Sequence, residues 1–189
     1  IEGSEYYVPI CKTMEVLNEL KAKGKIRAIG AANVDIKQIK EYLKYGELDI
    51  VQAKYSILDR GIEDEIIPCC RENGVTIQAY SPLEMGLLSG TLPRDYKPVG
   101  AQIPKKWFQP DNMQAAMDVM EEWKPLCEKY NCTIANLALA WILAQGDFIN
   151  LLSGSTTVDQ IAENVKSAEI QLDPSDVAAM RDMVEAIDK

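Results

Sequence analysis

The sequence predicts an α/β fold in which short apolar strands alternate with amphipathic helices, and three observations predict it. Units of one strand and one helix recur roughly every 20 to 30 residues, which is typical of βαβ folds with parallel strands. The 189 residues are 47% hydrophobic and 26% charged, which suits one globular domain or a piece of a larger one. Only about four strands can be counted, so the pattern amounts to half of an eight-stranded (β/α)₈ barrel, with a doubly wound sheet as the alternative.

The first predicted elements are a helix, a strand and a second helix. Apolar residues at helical spacing predict a helix over Ile10–Lys23, and Gly24 follows where it would end. The β-branched run Ile26–Gly30 predicts a strand. Asp35 then begins a helix that Gly46 ends. The chain therefore starts with one full repeat of the alternation.

The alternation continues and is then interrupted. Strands are predicted over Asp49–Ala53 and Val75–Tyr80, with a helix over Glu63–Glu72 between them. The following stretch, Ser81–Asp111, holds most of the prolines and no sustained period, which predicts a long loop of the kind that often carries function. Trp107 in this loop, with its neighbour Phe108, is predicted either to cover a substrate or to pack on the fold.

The last third of the sequence returns to helices around one strand. Predicted in order are helices over Met113–Tyr130 and Thr133–Ala144, a strand from Phe148, a helix over Val158–Ser167, and a last helix with Asp173 as N-cap and Pro174 at its first position. In the second of these helices Leu137, Trp141 and Ile142 are expected in the core.

The charge and composition exclude several classes of function. The net charge of −9 would repel a phosphate backbone or an anionic lipid surface, so neither nucleic acid nor membrane is an expected partner. The chain has no histidine, which removes imidazole metal sites and His-activated nucleophiles, and no metal site is predicted. Five cysteines without regular spacing are expected as small buried or half-buried residues of a cytoplasmic protein.

Two features of the sequence lead us to expect structure beyond this chain. The opening IEGSEYYVPICK shows no signal peptide and no membrane span, and a first residue other than Met is expected where a chain begins inside a longer protein. Half of a barrel would also leave sheet edges and an apolar face uncovered. We therefore expect a missing half to close the sheet, or a second copy to pair with it.

Four blocks in order carry a family resemblance: LNELKAKGKIRAIGAAN, VQAKYSILDR, AYSPLEMGLLSG and LLSGSTTVDQIAEN. They resemble successive blocks of the aldo-keto reductases, and YGELDIVQAKYSILDR with IRAIGAANVD is most similar to bacterial reductases of methylglyoxal and similar small carbonyls. The resemblance implies a (β/α)₈ barrel that reduces aldehydes or ketones with NAD(P)H. It makes residues 1–189 a single domain, the C-terminal cofactor-binding half. The family's catalytic Asp, Tyr, Lys and His belong to the other half, so no catalytic residue is predicted here.

For the nicotinamide end of the cofactor the resemblance implies three residues. The amides of Asn33 and Gln52 would meet the carboxamide, and Tyr80 would stack on the nicotinamide ring. Ala32 stands where the family usually has Ser, which removes one hydroxyl donor. The residues alone leave simpler alternatives open: a turn asparagine, a hydrogen-bonded core glutamine and a packed strand tyrosine.

For the rest of the cofactor the resemblance implies two segments and one helix face. The backbone of Ser81, Pro82 and Leu83 would pass beneath the pyrophosphate. The small residues Gly154, Ser155 and Thr156 with Thr157 precede a helix and offer N–H groups to an anion, although an ordinary helix cap is the alternative. The adenosine end would be held by polar residues at helical spacing, which could also be a plain polar face: Gln160, Glu163 and Asn164.

One departure from the family concerns the choice of cofactor. Many members that prefer NADP place Lys or Arg around the positions of Gly154, Thr156, Thr157 or Gln160, and this chain has no positive charge there. A 2′-phosphate would lose charge-assisted hydrogen bonds worth about 1.5–3 kcal/mol each. We therefore expect NADH to be preferred.

The sequence leaves three functional interpretations. The first is the cofactor-binding part of an NAD(P)-dependent aldo-keto reductase acting on a small carbonyl, with this chain alone inactive because the proton donor lies elsewhere. The second is a catalytically inactive nucleotide-binding half-barrel that pairs with itself or with another chain. A half-barrel from an unrelated phosphosugar enzyme is the third.

Overall fold

The computed structural model describes residues 7–188, so the first half of the opening segment, for which no leader is predicted, lies outside the described part. The first elements are α1 (Ile10–Ala22), β1 (Gly30–Ala32), α2 (Ile36–Tyr45), β2 (Ile50–Lys54), α3 (Ile66–Glu72) and β3 (Thr76–Tyr80). They are followed by α4 (Pro110–Glu122), α5 (Lys124–Tyr130), α6 (Ile134–Leu143), β4 (Ile149–Leu152), α7 (Val158–Val165) and α8 (Pro174–Ile187). Short 3₁₀ helices lie at Glu84–Ser89, Gly100–Gln102, Lys106–Phe108 and Lys166–Glu169.

The four strands are parallel and form one sheet in the order β1-β2-β3-β4, which confirms the predicted α/β class with four strands and helices between them. Strands β1 and β2 are paired from Gly30 opposite Ile50 to Ala32 opposite Gln52. Buried and half-buried residues alternate along β2 and β3, because successive side chains point to opposite faces of a sheet.

Two compact units make up the described chain, and the division falls within β2 and β3. The first unit comprises the described residues through Ala53 together with Gly61–Gln78, and Met14, Ile39 and Val51 are fully buried in it. The second comprises Lys54–Arg60 and the residues from Ala79 onward. Its core includes all three residues predicted for it, Leu137, Trp141 and Ile142, each fully buried.

The prediction of the first strand was wrong in position. Strand β1 begins at Gly30, where the predicted strand Ile26–Gly30 ends. Ile29 is buried, but its N–H donates to the Asp49 carboxylate at 2.7 Å and its carbonyl accepts from the N–H of Asp49 at 2.9 Å. A side chain thus takes the donor that a strand ladder would use, so the β-branched run leads into the strand without belonging to it.

The helix predicted over Met113–Tyr130 is two helices. α4 ends at Glu122 and α5 begins at Lys124, with Trp123 between them. Pro125 lies in the first turn of α5, where its missing N–H costs nothing, whereas in the middle of one long helix it would break a hydrogen bond. The proline was the available sequence signal for this break.

The long loop is folded into short helical turns, and its aromatic pair packs. Trp107 is 5% and Phe108 2% exposed, and the indole N–H of Trp107 donates to the carbonyl of Leu58 at 2.7 Å. Of the two alternatives for this pair, packing on the fold is therefore confirmed. The five cysteines are buried or half-buried, as expected.

Helix caps follow the sequence in one case and depart from it in another. Asp35 forms a capping box with Gln38 at the start of α2. Asp173 precedes α8 as predicted, and Pro174 is its first residue, but the Asp173 side chain makes no cap hydrogen bond and pairs with Lys129 instead. Within residues 7–188 no helix is long and apolar enough to cross a membrane, and no cluster of three metal-binding side chains occurs.

Candidate functional site

Asn33 and Gln52 lie together in the first unit, where Gln52, the central residue of β2, is opposite the last residue of β1. Asn33 directly follows β1, and its backbone N–H donates to the carbonyl of Gln52 at 3.0 Å. Its φ of 55° is in the left-handed region, which asparagine tolerates better than most residues. The turn interpretation of Asn33 therefore describes its backbone correctly, and the turn places this backbone beside Gln52 of β2.

The Gln52 side chain is half-buried and has a partner that the sequence did not predict. Its Nε2 donates to Oε1 of Gln78 at a long 3.4 Å. Gln78 is half-buried and alternates with the buried Ile77 and Ala79 in β3, so its period-2 spacing was a usable signal for a second amide on the less buried face of the strand. A glutamine amide offers two donors and two acceptor lone pairs, so this one bond leaves Gln52 able to bind a further amide.

In the second unit, Tyr80 ends β3 and opens an unusual turn. Its carbonyl accepts the N–H of Tyr55 at 3.3 Å, and its side chain is half-buried. Ser81 follows with a φ of 55°, and Pro82 is buried. The three predicted phosphate-segment residues Ser81, Pro82 and Leu83 are therefore continuous with the predicted stacking residue.

The turn after Leu83 has a backbone that most side chains avoid. Glu84 and Met85 have φ of 45° and 52°, and Gly86 has 95°. The N–H of Glu84 donates to the carbonyl of Ser81 at 2.9 Å, and that of Gly86 to Leu83 at 3.0 Å. A left-handed conformation costs a non-glycine residue about 1–2 kcal/mol, so surrounding contacts must hold the two of them in place.

A buried carboxylate lies within this turn and was missed by the sequence reasoning. Glu84 is 3% exposed. Its Oε1 accepts from the Ser56 hydroxyl at 2.8 Å, and its Oε2 accepts from the Lys54 ammonium at 3.0 Å. Lys54 also binds the Asp59 carboxylate at 2.7 Å. A lysine and a glutamate in otherwise apolar stretches were the available signal, because buried charges need partners.

The Lys54 ammonium remains charged in this setting. Burial lowers its pKa, but the hydrogen bonds to Asp59 and Glu84 outweigh that effect, and the pKa of Lys54 is raised. The Lys54 ammonium is shared between two carboxyl groups, those of Asp59 and Glu84. Lys54 is therefore paired within the protein, and its charge is not available to bind a phosphate.

The loop between β4 and α7 is organised as a helix cap, the simpler of the two interpretations. The Thr157 hydroxyl accepts from the N–H of Gln160 at 3.2 Å, and the Gln160 side chain accepts from the N–H of Thr156 at 2.8 Å. Gly154, Thr156 and Thr157 are exposed. An exposed helix N-terminus is also where anions bind, so capping does not compete with that prediction.

The three residues of the predicted face, Gln160, Glu163 and Asn164, differ in exposure and in hydrogen-bond partners. Gln160 is exposed and bonds back to the loop, whereas Asn164 is buried and donates to the Ser155 hydroxyl at 3.0 Å. Glu163 pairs with Lys166 at 2.7 Å. A cavity of about 340 Å³ has Ser155 and Asn164 among its lining residues, and the rest of its wall is mainly apolar, including Leu143, Ile149, Ile161 and Val165.

These features define an α/β protein whose candidate ligand-binding residues lie on parallel strands or just after their carboxyl ends. Residues 3–185 match the model of the aldo/keto reductase family. The chain is 58% identical over 184 residues to the NADH-specific methylglyoxal reductase of Escherichia coli K12, covering 97% of this chain and 56% of that protein. The chain belongs to the aldo/keto reductase family.

Two further relatives agree with this assignment. An aldo-keto reductase of Strobilurus tenacellus is 36% identical over 184 residues, covering 94% of this chain and 54% of that protein. The structure of the glycerol dehydrogenase of Gluconobacter oxydans superposes with a TM-score of 0.88 at 26% identity, covering 97% of this chain and 56% of that chain. The chain thus spans about half the length of the relatives that it matches.

Proposed function

We propose that this chain is the cofactor-binding part of an NADH-dependent aldo-keto reductase that reduces small carbonyls such as methylglyoxal. One observation carries the proposal. Each predicted cofactor segment lies on a different strand or just after it: Asn33 follows β1, Gln52 is the central residue of β2 and is opposite the last residue of β1, Tyr80 ends β3, and Gly154 is the second residue after β4. Parallel α/β proteins bind their ligands at these strand ends.

In this proposal each segment has one task. The amides of Asn33 and Gln52 orient the nicotinamide carboxamide, and Tyr80 covers one face of the ring so that the other face meets the substrate. Ser81, Pro82 and Leu83 run beneath the pyrophosphate. The segment Gly154, Ser155 and Thr156 holds a phosphate at the start of α7, and the adenosine is contacted from α7 by Gln160, Glu163 and Asn164. Bound NADH supplies a hydride, and the protein supplies position and shielding.

The charges around α7 support NADH over NADPH. Asp159 lies in the first turn of α7, Glu163 lies one turn further on, and the only nearby cation in the sequence, Lys166, is paired with Glu163. A 2′-phosphate here would face carboxylates without an arginine or lysine to pair with. The NADH-specific relative at 58% identity agrees with this proposal.

We further propose that turnover needs residues beyond this chain. The chain has no histidine, and none of the family's catalytic blocks resembles a part of its sequence. A segment on the N-terminal side, or a second copy, would cover the half-buried face of β2 that carries Gln52. Sedimentation of the purified chain tests the second arrangement: a dimer is expected if copies pair, and a monomer excludes self-pairing.

The decisive experiment is a fluorescence titration of the chain with NADH and with NADPH. We expect saturable NADH binding and at least tenfold weaker NADPH binding, because at least one charge-assisted bond is missing. Tyr80→Phe retains the stacking ring and should bind NADH within about twofold of the wild type, whereas Tyr80→Leu should weaken binding by about three- to tenfold. Absence of NADH binding, or equal effects of the two variants, would contradict the proposal.

An assay of NADH oxidation distinguishes a reductase from a module that only binds the nucleotide. NADH oxidation in the presence of methylglyoxal should stay at the background rate with this chain alone. It should appear when the residues that complete the barrel are supplied in the same polypeptide. Binding without turnover in both cases would leave a nucleotide-binding module and would reject the reductase proposal.

A further inference from the structure

We infer that Glu84 is a positioning residue for the pyrophosphate-binding segment: its buried carboxylate, held by Lys54 and Ser56, keeps the turn Glu84–Gly86 in the positive-φ conformation that fixes the preceding Ser81–Leu83 backbone for the phosphates. The inference rests on the proposed function, because it assigns a partner to the cofactor segment of the same site. It adds a residue that does not itself touch the cofactor.

The first observation is that the hydrogen-bond network has only one possible direction. The Ser56 hydroxyl accepts from the N–H groups of Leu58 at 3.2 Å and of Asp59 at 3.0 Å. Its single proton is therefore available only for Glu84, at 2.8 Å. Ser56 is fully buried, and both Glu84 oxygens have a partner. The carboxylate is consequently fixed from two sides and has little freedom to move.

The second observation is the backbone that this carboxylate holds. Glu84 and Met85 are consecutive non-glycine residues with positive φ, a conformation in which glycine would be the unstrained choice. The Met85 carbonyl is held from another side by the Gln102 amide at 3.2 Å, and the Gln102 oxygen accepts from the Tyr96 hydroxyl at 2.8 Å. Side-chain contacts therefore impose a turn that the local sequence does not favour.

The third observation is the position of the turn and its charge. It follows directly on Tyr80 and the Ser81–Leu83 segment, and strained backbone that is over-determined by its surroundings is concentrated at ligand sites. Apolar side chains of similar volume are often at least as stabilising in a protein interior as a buried ion pair. Because Lys54 is shared between Glu84 and Asp59, the cluster offers the phosphates no net positive charge. Its contribution is therefore to conformation.

The test compares two substitutions that both delete the carboxylate but differ in backbone preference. Glu84→Ala should raise the Kd for NADH about tenfold or more, since alanine resists a positive φ. Glu84→Gly should recover a large part of that loss, since glycine adopts the turn freely. The ³¹P chemical shift of bound NADH should move toward the free value in Glu84→Ala and return in Glu84→Gly, a change that a loss of global stability alone would not produce.

A matched control removes a similar ion pair elsewhere. Asp49 accepts from Lys21 at 2.9 Å and from the N–H of Ile29 at 2.7 Å, just before the amino end of β2. Asp49→Asn should leave the NADH Kd within about twofold of the wild type. Glu84→Gln is the substitution at Glu84 that matches Asp49→Asn, because both replace a carboxylate by an amide. The glutamine retains the shape of the side chain and an acceptor for Ser56, so this variant is expected to fold even if Glu84→Ala does not. Glu84→Gln should raise the Kd for NADH by about three- to tenfold.

The outcomes separate the two proposals. If the wild-type chain binds NADH and Glu84→Ala binds it with the same Kd, the positioning role is overturned while the proposed function stands. Where only Glu84→Gln folds, an unchanged Kd of that variant has the same meaning. Equal weakening by the alanine and glycine substitutions also overturns it, because the backbone would then not be the cause. If the wild-type chain does not bind NADH, the proposed function fails, and this inference fails with it.

Discussion

The indole N–H of Trp107 and the carbonyl of Leu58 are joined by a hydrogen bond of 2.7 Å, and both residues are at most 5% exposed. Leu58 lies in a tight turn in which Ser56 and Asp59 exchange two backbone hydrogen bonds of 3.1 Å. The long loop is thereby tied to the turn whose serine and aspartate belong to the Glu84 network. Trp107, for which the sequence allows either a substrate cover or packing on the fold, is thus a packed residue that holds the loop in place.

Replacing Trp107 should therefore reduce stability. Trp107→Phe leaves the buried Leu58 carbonyl without its donor, and we expect the free energy of unfolding in urea to fall by about 1–3 kcal/mol beyond the loss of ring volume. Trp123→Phe is the matched control, because Trp123 is fully buried and its indole nitrogen has no partner within the described residues. It loses ring volume only. A loss for Trp107→Phe no larger than that for Trp123→Phe would show that the hydrogen bond contributes nothing.

The sequence was sufficient for the elements whose signals are local. Asp35, the glycine after α2 and the proline at the start of α8 all mark boundaries that the structure keeps, because caps and backbone restrictions act within a few residues. The strand predicted at Ile26–Gly30 failed because the Asp49 side chain, 20 residues away, takes the N–H of Ile29. Tertiary contacts decided that case, and no local pattern contains them.

The candidate site divides in the same way. The strand-end positions of Asn33 and Tyr80 follow from the alternation of elements and the family resemblance. The partners of Gln52 and Glu84 do not, because Gln78 and Lys54 are 26 and 30 residues away from them in sequence. Sequence can therefore indicate that a buried amide or carboxylate needs a partner, while only the fold identifies which residue provides it.

Two aspartates at helix starts should differ in their importance for stability. Asp35→Ala removes a side chain that accepts the N–H of Gln38 at 2.8 Å in the capping box, and we expect a loss of about 0.5–2 kcal/mol. Asp173 also precedes a helix but makes no cap bond, and it loses only an exposed pair with Lys129 when changed to alanine. Asp173→Ala should cost less than about 1 kcal/mol. Equal losses in chemical denaturation would contradict this reasoning.

The choice between the two cofactors should respond to one substitution. Gln160→Arg places a guanidinium at the start of α7, and we expect the Kd for NADPH to fall by about tenfold relative to that for NADH, since an arginine can pair with the 2′-phosphate. Gln171→Arg adds the same charge at an exposed position outside the proposed site and should not change the ratio. Fluorescence titrations measure both. A similar shift in the two variants would indicate a general charge effect.

Acid should weaken the first unit through Asp49. The hydrogen bonds from Lys21 and from the N–H of Ile29 lower the pKa of Asp49 below its usual 3.8. Because the folded pKa is the lower one, the stabilisation is complete above the unfolded pKa and is lost as the pH falls below about 4. We expect the difference in urea midpoint between wild type and Asp49→Asn to shrink between pH 6 and pH 3. A constant difference would exclude this ion pair as the cause.

Two cysteines should react slowly with alkylating reagents at neutral pH. Burial and the neighbouring Cys69 raise the pKa of Cys70 to about 11, and burial and Cys127 do the same for Cys132. Because the thiolate is the reactive form, its fraction at pH 8 is about a hundredfold lower than for a thiol with a pKa of 9. Iodoacetamide labelling of the folded chain, followed by peptide mass spectrometry, should show the Cys132 rate still rising between pH 9 and pH 10.5. Free glutathione, measured in parallel, should already approach its plateau there. A plateau for Cys132 below pH 10 would show that its thiol is not held in the protonated form by its surroundings.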